Sequence, residues 1–180
     1  MQNIREFKSK MIYKKNLMVE NIKTKNLTNL IPQIEENTVY TIITQKNINP
    51  YAFLLNSISQ HGYIDNLYIA TYRVSYKTAT NFQHLLKEGL VKNFILVVND
   101  NYEVLMKNKA GILVNLDKNN DNFRLIQRNS HAKVTLIQNS DEFLVISGSG
   151  NYSNNPKIEQ YTIMKNKELY DFHKEWMLNG

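Results

Sequence analysis

The segment HAKVTLIQNSDEFLVISGSGNYSNNPKIE, residues 131–159, organises the predicted fold of this chain. It predicts a strand, a turn, a second strand and a tight loop, because two largely apolar runs are separated by polar residues and followed by glycines. In a strand, side chains alternate between the two faces, so His131 and Lys133 would share one face. Ser149 and Asn151 share a parity after the second strand. Pairing of the two strands would therefore gather these four side chains.

An imidazole, an ammonium, a hydroxyl and a carboxamide together suit a phosphodiester. Lys133 and Asn151 can bind phosphate oxygens, and His131 can act as a nucleophile or a general acid. Taken alone, each residue also has an ordinary structural interpretation. His131 could be a histidine in a strand, Lys133 a solvated lysine, and Ser149 part of a turn. The combination is what predicts a phosphate site.

The same residues resemble the signature of the phospholipase D superfamily, His-x-Lys followed by Asp-x6-Gly-Ser-x-Asn. The matching positions are, in order, His131, Lys133, Asp141, Gly148, Ser149 and Asn151. Glu159 stands where such proteins often carry a downstream acid. The family usually places the Asp seven residues after the His, whereas here the interval is ten. A longer strand or turn around 138–140 would explain the difference, and we expect Asp141 and Gly148 to be structural.

The resemblance implies chemistry that needs no metal and no cofactor. One histidine attacks phosphorus to form a phosphohistidine, and a second histidine protonates the leaving oxygen. It implies His131 as nucleophile or acid, with Lys133, Ser149 and Asn151 acting on the phosphate. Glu159 would orient the imidazole, as the acid does in a hydrolase triad. Arg73, after an earlier predicted strand, would be a further phosphate contact, with a surface arginine as the alternative.

This mechanism needs two histidines, and the chain carries one signature. His61, His84 and His173 have no lysine two residues on and no Gly-Ser-x-Asn partner. Small bacterial nucleases of the family dimerise, so that two identical signatures face each other. The resemblance therefore implies a C2 homodimer with one composite site.

The remaining sequence predicts an α/β fold with a mixed β-sheet flanked by helices on both faces, and the superfamily's α/β/α sandwich is similar. Further strands are predicted over Val39–Thr44, Leu67–Thr71, Phe94–Val98, Phe123–Gln127 and Gln160–Met164. Helices are predicted over 50–60, 77–88, 101–116 and 165–178, the last with Leu169, Phe172 and Trp176 inward. Residues 38–180 would form the phospholipase D-like domain. Residues 1–37 would be a basic extension: an arm, a dimerisation element or a nucleic-acid contact.

The amino-acid composition favours some classes of function and excludes others. The net charge of +6 and the pI of about 9.3 favour an anionic partner, although abundant Lys and Asn also fit an AT-rich coding sequence. The absence of cysteine excludes a disulfide scaffold, a Cys-ligated zinc site and a Cys nucleophile. With no secretory signal and no apolar run near the ~20 residues of a membrane helix, we expect a cytoplasmic protein that does not enter a membrane.

Three functions remain open from the sequence. The first is a metal-independent phosphodiesterase, a nuclease acting on nucleic acid and most simply on DNA. The second is a DNA-binding module of the same fold that cleaves nothing. The third is a hydrolase of phospholipids or other phosphodiesters, because the same residues serve that chemistry.

Overall fold

The computed structural model describes residues 17–22, 34–36, 38–44, 49–101, 111–153 and 157–180. Within these ranges the chain forms eight strands and four helices. The strands are β1 (Leu17–Ile22), β2 (Val39–Thr44), β3 (Ile64–Thr71), β4 (Val91–Asn99), β5 (Phe123–Arg128), β6 (Val134–Asn139), β7 (Glu142–Gly148) and β8 (Glu159–Lys165). The helices are α1 (Tyr51–His61), α2 (Tyr76–Lys87), α3 (Gly111–Asn119) and α4 (Lys167–Asn179).

All eight strands form one sheet in the order β1-β2-β8-β7-β6-β3-β4-β5. The pairs β1–β2, β3–β4 and β4–β5 are parallel, while β2–β8, β8–β7, β7–β6 and β6–β3 are antiparallel. Parallel neighbours need a crossover connection, and α2 supplies one between β3 and β4. The short connection between β6 and β7 can only join antiparallel strands. The predicted mixed sheet is confirmed.

The sheet is covered on both faces, as the sequence predicted. Along β3, Leu67 and Ile69 belong to a buried cluster that also takes in side chains of α1, α2 and α3. Tyr68 and Ala70, of the opposite parity, belong to a second cluster with α4. Because every one of these β3 side chains is buried, the strand reads as a continuous apolar run.

Single residues determine where α1 and α2 begin and end. Pro50 caps α1, where its fixed φ suits a helix start. Gly62 ends the same helix at φ 83°, and its N–H donates to Ile58 O at 2.7 Å. Ser75 caps α2 by accepting from Thr78 N at 3.1 Å, and Gly89 follows the helix at φ 67°.

Two predictions about helices need comment. The helix predicted over 101–116 is represented in the structure by α3, which begins at Gly111 and runs on to Asn119, while residues 102–110 lie outside the described ranges. The inward placement of Phe172 on the last helix is wrong, since this side chain is 62% exposed. Tyr170 and Met177 are the fully buried residues of α4, and Leu169 and Trp176 pack beside them.

The two faces of α4 give a direct test of this arrangement. Met177→Ala is expected to lower the free energy of unfolding by about 2–5 kcal/mol, because it leaves a cavity under the helix. Phe172→Ala on the same helix is the matched control and should change it by less than about 0.5 kcal/mol. Urea denaturation of both variants measures the difference. Equal losses would show that the Phe172 side of α4 is buried as well, which would contradict this arrangement.

Part of the predicted basic extension joins the sheet. Leu17–Ile22 pairs in parallel with β2 as the edge strand β1, whereas the division of the chain at residue 37 stays a prediction. No helix in the ranges that the structure describes is long and apolar enough to cross a membrane.

Candidate functional site

The signature residues meet at one end of the sheet because of strand register. Val134, at the start of β6, pairs with Ser147 near the end of β7 and with Ala70 near the end of β3. Gly148 in turn pairs with Tyr161 near the start of β8. One end of the sheet therefore gathers the residues just before β6, just after β3 and β7, and at the start of β8.

The predicted strand around His131 begins later than expected. The residues His131, Ala132 and Lys133 precede β6 and do not form a strand, although Gly148 N still donates to Lys133 O at 3.1 Å. The imidazole of His131 is exposed, and Lys133 folds back onto its own neighbour. Its Nζ lies 2.9 Å from His131 Nδ1 and donates to His131 O at 2.7 Å.

The contact between Lys133 and His131 fixes a tautomer. An ammonium can only donate hydrogen bonds, so Nδ1 accepts and the ring proton of a neutral imidazole lies on Nε2. Burial lowers the pKa of Lys133 below its ordinary value, and the nearby carboxylate of Glu159 opposes that shift. In this conformation the imidazole and the ammonium are partners of each other.

The loop after β7 is held by its own hydroxyl. Ser149 Oγ donates to a carboxylate oxygen of Glu159 and accepts from Gln160 N at 3.0 Å. Ser149 N also donates to Gln160 O at 3.0 Å. Glu159 is only 6% exposed. Its carboxylate lies near enough to Lys133 to oppose the lowering of the lysine's pKa. The structure brings Ser149, Glu159 and Lys133 close together, while their chemical roles stay a prediction.

Two glycines of this loop are required by packing, and neither has a positive φ. A β-carbon on Gly148 would overlap the backbone carbonyl of Gln160 and lie 2.5 Å from Cδ1 of Tyr161. A β-carbon on Gly150 would overlap the hydroxyl of Tyr161 and lie 2.9 Å from Cζ. Tyr161 is 2% exposed and sits directly against the loop. Sequence reasoning did not single it out.

Asn151 is positioned by the end of β3. Thr71 Oγ1 donates to Asn151 Oδ1 at 3.3 Å, so the amide NH2 of Asn151 is the group left to donate to an anion. The same hydroxyl proton is shared with Arg73 O, which lies 3.2 Å from Thr71 Oγ1, and this oxygen also accepts from Tyr152 N at 3.4 Å. Arg73 thus lies in the loop that supports Asn151, and its side chain is exposed.

Tyr72 is a site residue to which the sequence assigned no role. Its ring centroid lies 4.8 Å from that of His131, at an interplanar angle of 46°. An aromatic ring in contact with an imidazole restricts its orientation. The only available signal was the position of Tyr72 directly after a buried strand.

Asp141 lies at the far end of the β6–β7 hairpin. Asn139 pairs with Glu142, and the turn between them is formed by Ser140, at φ 49°, and Asp141. This turn is roughly 17 Å or more from Lys133, given a rise of about 3.4 Å per residue. The ten-residue interval is therefore spanned by the loop before β6, the strand itself and a two-residue turn.

The other three histidines have partners elsewhere. His61 Nε2 lies 3.4 Å from a carboxylate oxygen of Glu142, and His84 Nδ1 lies 3.8 Å from that of Glu88. His173 accepts from Trp176 Nε1 at 2.9 Å, and burial lowers its pKa. Across the described ranges, no three His, Asp or Glu side chains come together as a metal site.

No protein-family model and no curated protein matches the chain. Solved structures match the chain in their fold, among them the following two. NucT from Helicobacter pylori superposes with a TM-score of 0.54 at 16% identity, over 78% of this chain and 94% of NucT. Polyphosphate kinase from Porphyromonas gingivalis superposes with a TM-score of 0.61 at 14% identity, over 91% of this chain and 30% of the kinase. Both have the phospholipase D-like architecture.

The chain has a phospholipase D-like fold. The resemblance carried by residues 131–159 is therefore confirmed for the architecture. In this phospholipase D-like fold, the signature lies where β3 and β7 end and where β6 and β8 begin. The turn of the β6–β7 hairpin lies at the opposite end of the sheet.

Proposed function

We propose that the protein is a phosphodiesterase that hydrolyses nucleic acid without a metal, through a phosphohistidine on His131. The observation that carries this proposal is the meeting of His131, Lys133, Ser149, Asn151 and Glu159 at one end of the sheet. An imidazole can attack phosphorus, an ammonium can neutralise the charge of the phosphodiester, and an amide NH2 can donate hydrogen bonds to its oxygens. The fold supports the same reading, since NucT is a nuclease of this superfamily.

In the proposed mechanism, the contact between Lys133 and His131 belongs to the resting state. With Lys133 bonded to Nδ1, the imidazole nitrogen at that position has its lone pair occupied and Nε2 carries the proton. A substrate phosphate would draw the Lys133 ammonium away, since a charge-assisted bond to phosphate is stronger than one to a neutral ring. Nδ1 can then take the proton, with Glu159 as the acid that orients it, and Nε2 becomes the nucleophile.

The reaction needs a second imidazole. Nε2 forms a bond to phosphorus while the bond from phosphorus to the leaving oxygen breaks, and that oxygen takes a proton from the other histidine. A water molecule then attacks phosphorus, gives its proton to that second histidine and releases His131. Since His61, His84 and His173 have their contacts elsewhere, the second imidazole is the partner subunit's His131 in a C2 dimer.

Nucleic acid, and DNA in particular, is the proposed substrate class. The chain carries a net charge of +6, which favours a polyanion, and the exposed Arg73 lies beside the loop that supports Asn151. Tyr72 adds an aromatic ring at the same place, where a base can stack. A phospholipid or another phosphodiester is the third possibility, which the substrate panel below tests. The proposed location is cytoplasmic.

The pKa of Lys133 gives a prediction with a definite sign. Lys133 binds phosphate only when protonated, so activity falls as the pH rises through its pKa, which burial already lowers. Glu159→Gln removes the carboxylate that opposes this shift, and the pKa falls further. The alkaline limb of kcat/KM is therefore expected at lower pH in Glu159→Gln than in the wild type. Glu175→Gln, an exposed change on α4, is the control and should leave the limb in place.

The substrate class is tested by incubating the protein in EDTA with single- and double-stranded DNA, RNA and phosphatidylcholine vesicles. The proposal expects strand cleavage of at least one nucleic acid in the chelator, and slower or no release of headgroup from lipid. Release from lipid alone would contradict the nucleic-acid substrate.

A non-catalytic DNA-binding module is the second candidate, favoured by the Lys133–His131 contact that occupies the imidazole. Its signature is salt-sensitive DNA binding without cleavage in EDTA. That result would replace the nuclease proposal.

A further inference from the structure

Three buried hydroxyl groups are connected to one another at the end of the sheet that carries the signature, and the proposed reaction does not use them. Tyr152 and Thr71 are each 2% exposed, and Thr135 is 3% exposed. The hydroxyls of Tyr152 and Thr135 lie 2.7 Å apart, and Tyr152 N donates to Thr71 Oγ1 at 3.4 Å. Because each hydroxyl has a partner, none of them is an unpaired buried polar group. The three residues form one hydrogen-bonded network.

Tyr152 fixes the signature loop directly after Asn151. Its carbonyl accepts from Ser75 N at 2.8 Å, beside an isolated parallel bridge between Val74 and Tyr152. Its ring centroid lies 5.5 Å from that of Phe82, a buried residue of α2. Both the backbone and the side chain of Tyr152 are therefore held in the core. This anchor determines where the next residue back, Asn151, can lie.

Thr135 joins the same loop to the strand that follows Lys133. It lies on β6, two residues after Lys133, and pairs with residues of both β3 and β7. Backbone hydrogen bonding along this edge reaches Gly148, whose N–H donates to Lys133 O. Four residues later, the hydroxyl of Tyr152 adds another bond to β6. The segments that carry Asn151 and Lys133, the two proposed phosphate ligands, are therefore tied together from below.

Thr71 connects the network to the amide of Asn151. Its Oγ1 accepts from Tyr152 N and lies 3.3 Å from Asn151 Oδ1. Valine has the same shape as threonine and is at least as favourable in a buried strand, so packing of β3 alone does not call for this hydroxyl. The hydroxyl instead holds the oxygen side of the amide and leaves the NH2 side for an anion.

We propose that Thr71, Thr135 and Tyr152 are positioning residues, which hold the amide of Asn151 where it and the ammonium of Lys133 donate to the same phosphate. The inference rests on the proposed function, in which both groups bind the phosphodiester. The three residues touch no substrate and act through Asn151. Breaking the network should therefore remove what Asn151 contributes and nothing more.

A double-mutant cycle tests whether Thr71 acts through Asn151. Thr71→Val should lower kcat/KM for DNA cleavage in EDTA about tenfold, whereas Thr71→Ser, which keeps the hydroxyl, should stay within about threefold of the wild type. In an Asn151→Ala background, Thr71→Val should change kcat/KM by less than about twofold. A further tenfold loss in that background would show that the two residues act independently, contrary to the proposal.

Thr38→Val is the matched control for this cycle. Thr38 is also a buried threonine whose hydroxyl bonds a backbone carbonyl, but it precedes β2, at the end of the sheet opposite the signature. Its kcat/KM should equal that of the wild type.

The pair formed by Tyr152 and Thr135 is tested by removing one hydroxyl or both. Tyr152→Phe leaves the Thr135 hydroxyl buried without this partner, so it should lower Tm by about 2–5 °C. Adding Thr135→Val removes the second hydroxyl and should restore most of the Tm. In a positioning role, kcat/KM of this double variant stays at least about threefold below the wild type, because the bond between the two segments is absent. Recovery of kcat/KM together with Tm would show that the pair is structural only.

Binding of inorganic phosphate separates this inference from the proposed function. The side-chain NH2 signals of Asn151 in the ¹⁵N-labelled full chain are followed during a phosphate titration, which needs no cleavage. These signals should shift in the wild type, and Thr71→Val should bind phosphate at least about fivefold more weakly. Those shifts in a protein that cleaves no nucleic acid would count against the proposed function alone. Equal affinities in the two proteins, or an Asn151 amide that does not respond in the wild type, would overturn the inference.

Discussion

A His131→Asn protein is expected to cleave DNA at least about a thousandfold more slowly than the wild type, with DNA affinity changed less than about threefold. The substitution keeps a planar polar side chain in place but removes the nucleophile. The phosphate ligands Lys133 and Asn151 remain. Single-turnover cleavage in EDTA and a filter-binding titration measure the two quantities on the same preparation.

His84→Asn is the matched control, because His84 is exposed on α2 and its side chain lies near Glu88. Its cleavage rate should equal that of the wild type. Cleavage by His131→Asn at the wild-type rate would mean that the activity comes from another site or another protein.

The composite site has its own signature in mixtures of subunits. If cleavage needs His131 from both subunits, only dimers of two wild-type chains are active. Equal amounts of wild type and His131→Asn, unfolded and refolded together, would then retain about one quarter of the activity of the same total wild-type protein. About one half would indicate subunits that act independently.

The second large effect is expected at Gly148 and Gly150, in the loop at the end of β7. Gly150→Ala should lower the free energy of unfolding by about 1–3 kcal/mol and impair cleavage, because the added methyl overlaps the ring of Tyr161. Tyr161→Phe should recover part of this loss, since it removes the hydroxyl that lies nearest the added methyl. On its own, Tyr161→Phe should be neutral or slightly stabilising, because this buried hydroxyl lacks a partner in the described part of the chain.

Gly148→Ala provides the contrast for this double-mutant test. The atom nearest its added methyl is the backbone carbonyl of Gln160, which no side-chain change can remove. Tyr161→Phe should therefore leave the Gly148→Ala loss in place. Thermal unfolding of the single and double variants distinguishes the cases, and equal rescue at both glycines would contradict the packing described for the loop.

The sheet was predictable because its strands carry their own signals. The apolar runs of β3, β4 and β7 each mark buried strands, and Gly62 marks the end of α1 by its need for a positive φ. The last helix was predicted correctly in position but wrongly in one inward residue, because Phe172 fits the apolar periodicity and is nevertheless exposed. Periodicity identifies a face within about one residue on either side, which is not enough to choose between Phe172 and its neighbours.

The site was predictable only where a motif carried it. His131, Lys133, Ser149 and Asn151 come from the signature, while the packing of Tyr72 on His131 depends on contact between segments distant in the chain. Thr71 likewise supports Asn151 across 80 residues of sequence. Such contacts leave no local pattern, because register and the approach of neighbouring strands decide them.

Direct detection of the covalent intermediate tests the central claim most sharply. The wild-type protein is mixed with a short DNA substrate in EDTA, quenched in alkali during the first turnover and digested for mass spectrometry. The account predicts a nucleotide adduct on the peptide that contains His131 and none in His131→Asn. Product formation with no adduct, or an adduct on another residue, would contradict it.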